Sequence, residues 1–221
     1  MKSQLHKNDT FFRRFLTESE IKKYEHMKVR RAEAGEHLKK SLKTHLSTLN
    51  DGVAAIIITV MLLEIRFPST EQRYISFAWS VLVFIVSFFV VADFWYENKR
   101  VFEIVQAVDH AVMILNFAFL ASLALIPVMT KWIMQKTIGL AVLNYGIIYL
   151  LTTLLHNALY FVALRKKFLD EKGLFLKLIF FRISSVLVPN IMLMILGWSL
   201  PVPAMVLYLA LPIWNFLQPS I

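Results

Sequence analysis

The chain has 221 residues, 57% of them hydrophobic, and a mean hydropathy of +0.59, far above the apolar share of a soluble domain. It contains no cysteine, which excludes disulfides, thiolate metal sites and cysteine nucleophiles. The net charge of +9 is unevenly spread: Lys2, Lys7, Arg13, Arg14, Lys22, Lys23, Lys28, Arg30, Arg31, Lys39, Lys40 and Lys43 place half of the 24 basic residues ahead of the first apolar run.

These features predict an all-α integral membrane protein. The expected organisation is a basic cytoplasmic helical segment over residues 1–44, followed by a six-helix transmembrane domain over residues 45–217. In the first segment, Phe11, Phe12, Phe15 and Leu16 flank Arg13 and Arg14, an amphipathic pattern suited to anionic lipid headgroups. Thr17-Glu18-Ser19-Glu20 reads as a capping box opening a helix. That helix is expected to run through Glu36 into the first span, with Gly35 a candidate bend. The first apolar run starts too late to be read as a cleavable signal peptide. No nucleic-acid partner is expected, because basic flanks are ordinary on membrane proteins and no recognition motif accompanies this one.

The first span runs from Leu49 to Pro68 and carries few polar groups: Asn50 and Asp51 at its mouth, Thr59 in its middle, Glu64 and Arg66 at its far end. At about 100° per residue, Leu49, Gly52, Ile56, Val60 and Leu63 fall in one stripe, with Thr59 beside it and Asp51 turned away. Such a stripe is commonly lipid-facing or helix-packing surface. Here it is read as the lining of an ion pathway, because an acid at the edge of an apolar run is costly unless paired or wet and Gly52 lets another helix approach.

Further spans are expected at about Tyr74 to Tyr96, Asp109 to Val128 with a break at Pro127, Thr137 to Leu164, and Leu174 to Leu196. A shorter sixth ends near Trp214 and is marginal for crossing a bilayer. Lys99, Arg100 and the Arg165 to Lys177 group join the N-terminal charges on one side. That asymmetry predicts a multi-pass protein of the cell membrane with both termini cytoplasmic. No internal repeat supports an inverted-repeat transporter.

No phosphate loop, nucleophile elbow or dinucleotide turn occurs, and His110 and His156 have no metal-ligand partner at helical spacing. No metal, cofactor or catalytic residue is expected. The set Asp93, Glu97, Asn98, Asp109 and His110 resembles the acid and histidine groups that membrane enzymes gather near one interface. It keeps a membrane-embedded enzyme, or a non-conducting membrane protein, as the alternative.

Leu49 to Val53, Ala55 to Thr59 and Leu62 to Ile65 resemble the first-helix signature of the transmembrane protein 175 family, potassium channels of endolysosomes with shorter prokaryotic relatives. Phe94 to Phe102 is similar to the family's second-helix Phe-Trp run, and Asn116 with Ile126-Pro127-Val128-Met129-Thr130 to its third-helix block. The resemblance covers about residues 45–130. It implies a homotetramer of six-helix subunits that passes potassium ions between four first helices. Ile56 then corresponds to the constriction, Thr59 to the hydroxyl beside it, and Val60 and Leu63 to rings one and two turns along. The family's Phe and Ser are Leu49 and Asn50 here, its Arg is His45, and its second-helix His is Asn98. His45, Asn50, Asp51, Trp95, Asn98 and Asn116 are therefore the expected structural polar network.

Overall fold

The computed structural model describes residues 17–105, 108–164 and 172–217. The aromatic segment at Phe11 to Leu16 and most of the basic loop after Leu164 lie outside them. The chain divides into two compact units, one ending at Leu42 and one starting at Lys43. In the first, the Thr17 amide and hydroxyl both donate to Glu20 Oε2, at 2.8 and 2.7 Å. This satisfies a free donor at the helix start, as a capping box should.

The described residues form α1 (Glu18–Leu63), a 3-10 turn (Glu71–Arg73), α2 (Tyr74–Ile104), α3 (His110–Leu123), α4 (Ile126–Gln135), α5 (Gly139–Leu164), α6 (Lys172–Ser199), α7 (Pro201–Leu207) and α8 (Ala210–Leu217); none of them is in a strand. Among the described residues, five stretches are long and apolar enough to cross a membrane: Glu18–Leu63, Glu71–Ile104, His110–Gln135, Gly139–Ala163 and Phe180–Ser199. The sixth expected span is instead a shorter apolar stretch, Pro201–Ile213, divided between α7 and α8.

Proline places two of the interruptions. Pro127 has no N–H for the Leu123 carbonyl and Pro212 none for Tyr208, so the i to i−4 ladder fails there. Accordingly α3 ends at Leu123 and α7 gives way to a turn at Tyr208 and Leu209. Pro127 then occupies the first turn of α4, where a missing N–H is tolerated. Pro189, by contrast, lies inside an unbroken α6.

In a bilayer, helices associate through close packing and interhelical hydrogen bonds rather than by exclusion from water. Glycine provides the closest approach between α5 and α6. A Cβ on Gly139 would come within 2.5 Å of the Trp198 carbonyl oxygen, and one on Gly197 within 2.6 Å of Val142 Cγ1. The main core joins Ile57 and Met61 of α1 to Val83, Val86, Val90 and Phe94 of α2, Phe119 and Leu123 of α3, Ile126 and Ile133 of α4, and Tyr145 and Tyr149 of α5. A second cluster packs Leu46 with Val101, Phe102, Val112 and Leu159. From Lys43 onward, α1 is thus seated on the other helices along one face.

Candidate functional site

The seated face of α1 is Leu46, Asn50, Ala54, Ile57 and Met61, all buried. Their spacing of three and four residues makes one helical stripe. The opposite stripe is Leu49, Gly52, Ile56, Val60 and Leu63, with Thr59 beside it, and every one of these is exposed in the single chain. Adjacent isoleucines mark the contrast: Ile56 is 63% exposed and Ile57 4%. A Cβ built on Gly52 meets nothing within 4 Å. The stripe is therefore an open apolar track down one side of α1.

Thr59 is the hydroxyl in this track. Its Oγ1 donates to the Ile56 carbonyl at 2.9 Å, so its proton is held by its own helix and its lone pairs are left to accept. That is the polarity a cation requires.

Two polar clusters hold α1 at its N-terminal membrane edge. In one, Asp51 accepts from Trp95 Nε1 at 2.8 Å and from Lys99 Nζ at 2.9 Å. In the other, Asn116 Nδ2 donates to Asn50 Oδ1 at 2.9 Å, while Asn98 Nδ2 reaches Asn116 Oδ1 at 3.5 Å. Asn50, Asn98 and Asn116 are buried, and Asn98 Oδ1 lacks a partner among the described residues. Five of the six expected network residues thus meet across α1, α2 and α3. His45 is exposed and joins neither cluster.

Several contacts were not legible beforehand. Lys131 Nζ binds Glu64 Oε1 at 3.0 Å, which ties the far end of α1 to α4. Glu97 pairs with Arg182 of α6 and, at 2.9 Å, with Arg100. Thr130 Oγ1 lies 2.8 Å from Ser87 Oγ, to which Tyr145 Oη donates at 3.3 Å. Glu97 and Arg100 are three residues apart on one helix, but the sequence offers no sign of the other pairings, because their partners lie 43 to 85 residues apart.

The acids that suggested an enzyme are occupied structurally. Asp93 is buried and accepts from Asn215 Nδ2 at 2.8 Å. Asp109 caps α3 by accepting from the Val112 amide at 3.0 Å. His110 is exposed, and His156 is buried against the Phe119 ring. Among the described residues, no three His, Cys, Asp or Glu side chains gather as a metal site.

The long apolar helices, sealed by buried amide and hydroxyl contacts, define a multi-pass α-helical membrane protein. A family model described as endosomal/lysosomal potassium channel TMEM175 matches residues 45–127. The chain is 31% identical over 126 residues to a protein of Chryseobacterium sp. (strain P1-3) named a potassium channel, a match covering 56% of this chain and 66% of that one. It is 33% identical over 88 residues to one of Streptomyces collinus, also named a potassium channel, covering 37% and 43%. The chain thus spans about two thirds or less of these curated relatives' lengths. The crystal structure of a lysosomal potassium-selective channel TMEM175 homolog from Chamaesiphon minutus has the same fold, with a TM-score of 0.66 at 23% identity over 80% of this chain and 97% of that chain. The chain belongs to the TMEM175 family.

Proposed function

We propose that this chain is the subunit of a potassium-permeable channel of the cell membrane, in which four copies set their α1 helices around a central pathway. The observation that carries this reading is the uncovered apolar track of α1, whose opposite face is fully occupied by the subunit's own core. The relatives named as potassium channels supply the ion.

In this arrangement four Ile56 side chains form the neck. A narrow apolar ring expels water, and a potassium ion cannot cross it unhydrated, so the ring closes the path by dewetting. Widening it admits ions. Val60 and Leu63 continue the apolar lining, and the Thr59 oxygens replace part of a cation's water shell. That exchange favours potassium, which dehydrates more easily than sodium. The mechanism requires no cofactor. Residues up to 44 form a cytoplasmic flank that meets anionic headgroups, and both termini face the cytoplasm. Asn50, Asp51, Trp95, Asn98 and Asn116 make up the polar set that orients α1.

Potassium flux into proteoliposomes, with sodium for comparison, tests the reading. Ile56→Asn wets the neck and raises potassium flux severalfold over the unmodified protein. Ile57→Asn places an amide in the core and lowers the amount of folded protein without that gain. Equal effects of the two substitutions on flux per folded protein would contradict the assignment of the lining.

A further inference from the structure

A histidine shares the open face of α1 with the apolar track. His45, Leu49, Gly52, Ile56, Thr59 and Leu63 follow one another at steps of four and three residues, and α1 is helical without interruption between them. His45 lies only about 20° around the helix from Ile56 and about 16 Å along it, at the N-terminal membrane edge. It is exposed, whereas Leu46 beside it is buried, the same division that separates Ile56 from Ile57. Its ring makes no hydrogen bond or ion pair among the described residues. Lys43, two residues before it, is turned elsewhere, with Nζ donating to the Glu103 carbonyl at 3.4 Å.

We propose that four His45 side chains, one from each copy, form a binding site for a divalent transition-metal ion on the axis of the pathway, and that the bound ion blocks potassium. This inference rests on the channel reading above. Packed helices lie about 8–10 Å apart, so in a square ring each α1 axis stands about 6–7 Å from the centre. An imidazole pointing inward spans that gap and brings a ring nitrogen within the metal–nitrogen distance of about 2 Å. Imidazole is also the commonest metal ligand among side chains.

Symmetry then selects the metal. Four ligands related by a fourfold axis lie at one height, which makes a planar square and forbids a tetrahedron. Planar nitrogen sets suit Cu2+ and Ni2+, whereas Zn2+ takes four ligands tetrahedrally. The site therefore prefers Cu2+ to Zn2+. A single subunit supplies only one ligand, so the site is incomplete until the copies assemble. Once bound, the ion places two positive charges on the line of travel and repels an approaching potassium ion.

The test uses the untagged chain in proteoliposomes with copper on both sides, and block is read for each variant as the ratio of potassium flux with and without the metal. The expected result is one Cu2+ per four chains, an electron paramagnetic resonance spectrum split by four equivalent nitrogens, and flux reduced to that of protein-free vesicles. Zn2+ at the same concentration blocks less. His45→Gln abolishes the four-nitrogen spectrum and the block. His110→Gln, at an exposed histidine of α3, leaves both unchanged. The lack of cysteine removes copper–thiol chemistry from the background. A spectrum from only one or two nitrogens, or copper block that survives His45→Gln, in a protein that is tetrameric and conducts without metal, overturns this inference alone. A protein that is not tetrameric, or that passes no potassium in metal-free buffer, removes the channel reading and this inference with it.

Discussion

Neighbouring residues on one helix perform unlike tasks. Ile56 and Ile57 have the same chemistry, yet a rotation of about 100° sends one to the open track and the other into the core. Asn50 and Asp51 are divided in the same way, the amide to buried Asn116 and the carboxylate to Trp95 and Lys99. Asn116, 0% exposed, is the connecting residue because it gives its amide to Asn50 and receives that of Asn98. Asn116→Leu removes both bonds and leaves Asn50 Oδ1 without that donor. Interhelical hydrogen bonds within membranes are worth only about 0.6 kcal/mol on average, and stranding a buried acceptor adds to the loss. The expected destabilisation is about 1–2 kcal/mol, measured as a lowered unfolding midpoint in detergent.

At the level of elements, the pairing of α5 with α6 depends on the absence of side chains at Gly139, Gly146 and Gly197. Gly139→Ala sets a methyl group against the Trp198 backbone, which cannot rotate away as a side chain can. The helices must separate, at a cost of about 1–3 kcal/mol. Gly52→Ala meets nothing within 4 Å in the subunit and leaves subunit stability nearly unchanged. Thermal unfolding of the two variants side by side checks the contrast; equal losses would contradict it. The sequence made the apolar stretches and the break at Pro127 legible, because hydropathy and a missing N–H act locally. It also made the α1 stripe legible, because one helix has one period. The division at Tyr208 and Leu209 was open to the same reasoning through Pro212. The clamps from Lys99 and Lys131 were not, since a charge at a membrane boundary reads the same whether it faces water or an acid on another helix. The place of Asp93 was hidden likewise: its partner Asn215 is 122 residues away, so an acid engaged in packing looked like an acid available for chemistry.

In the proposed channel, the face of α1 left open by one subunit becomes the wall of a wet path when subunits assemble. The native chain has no cysteine, so single cysteines placed along α1 report their surroundings without a background. The most direct measurement is block of potassium flux by a charged, water-soluble thiol reagent, scanned over α1. Cysteine in place of Ile56, Val60 or Leu63 is predicted to react and to reduce flux by at least about half. Cysteine in place of Ala54, Ile57 or Met61, on the buried face, is predicted to leave flux unchanged after the same treatment. Block that follows the buried face, or is independent of helical position, would contradict the claim that α1 lines the pathway.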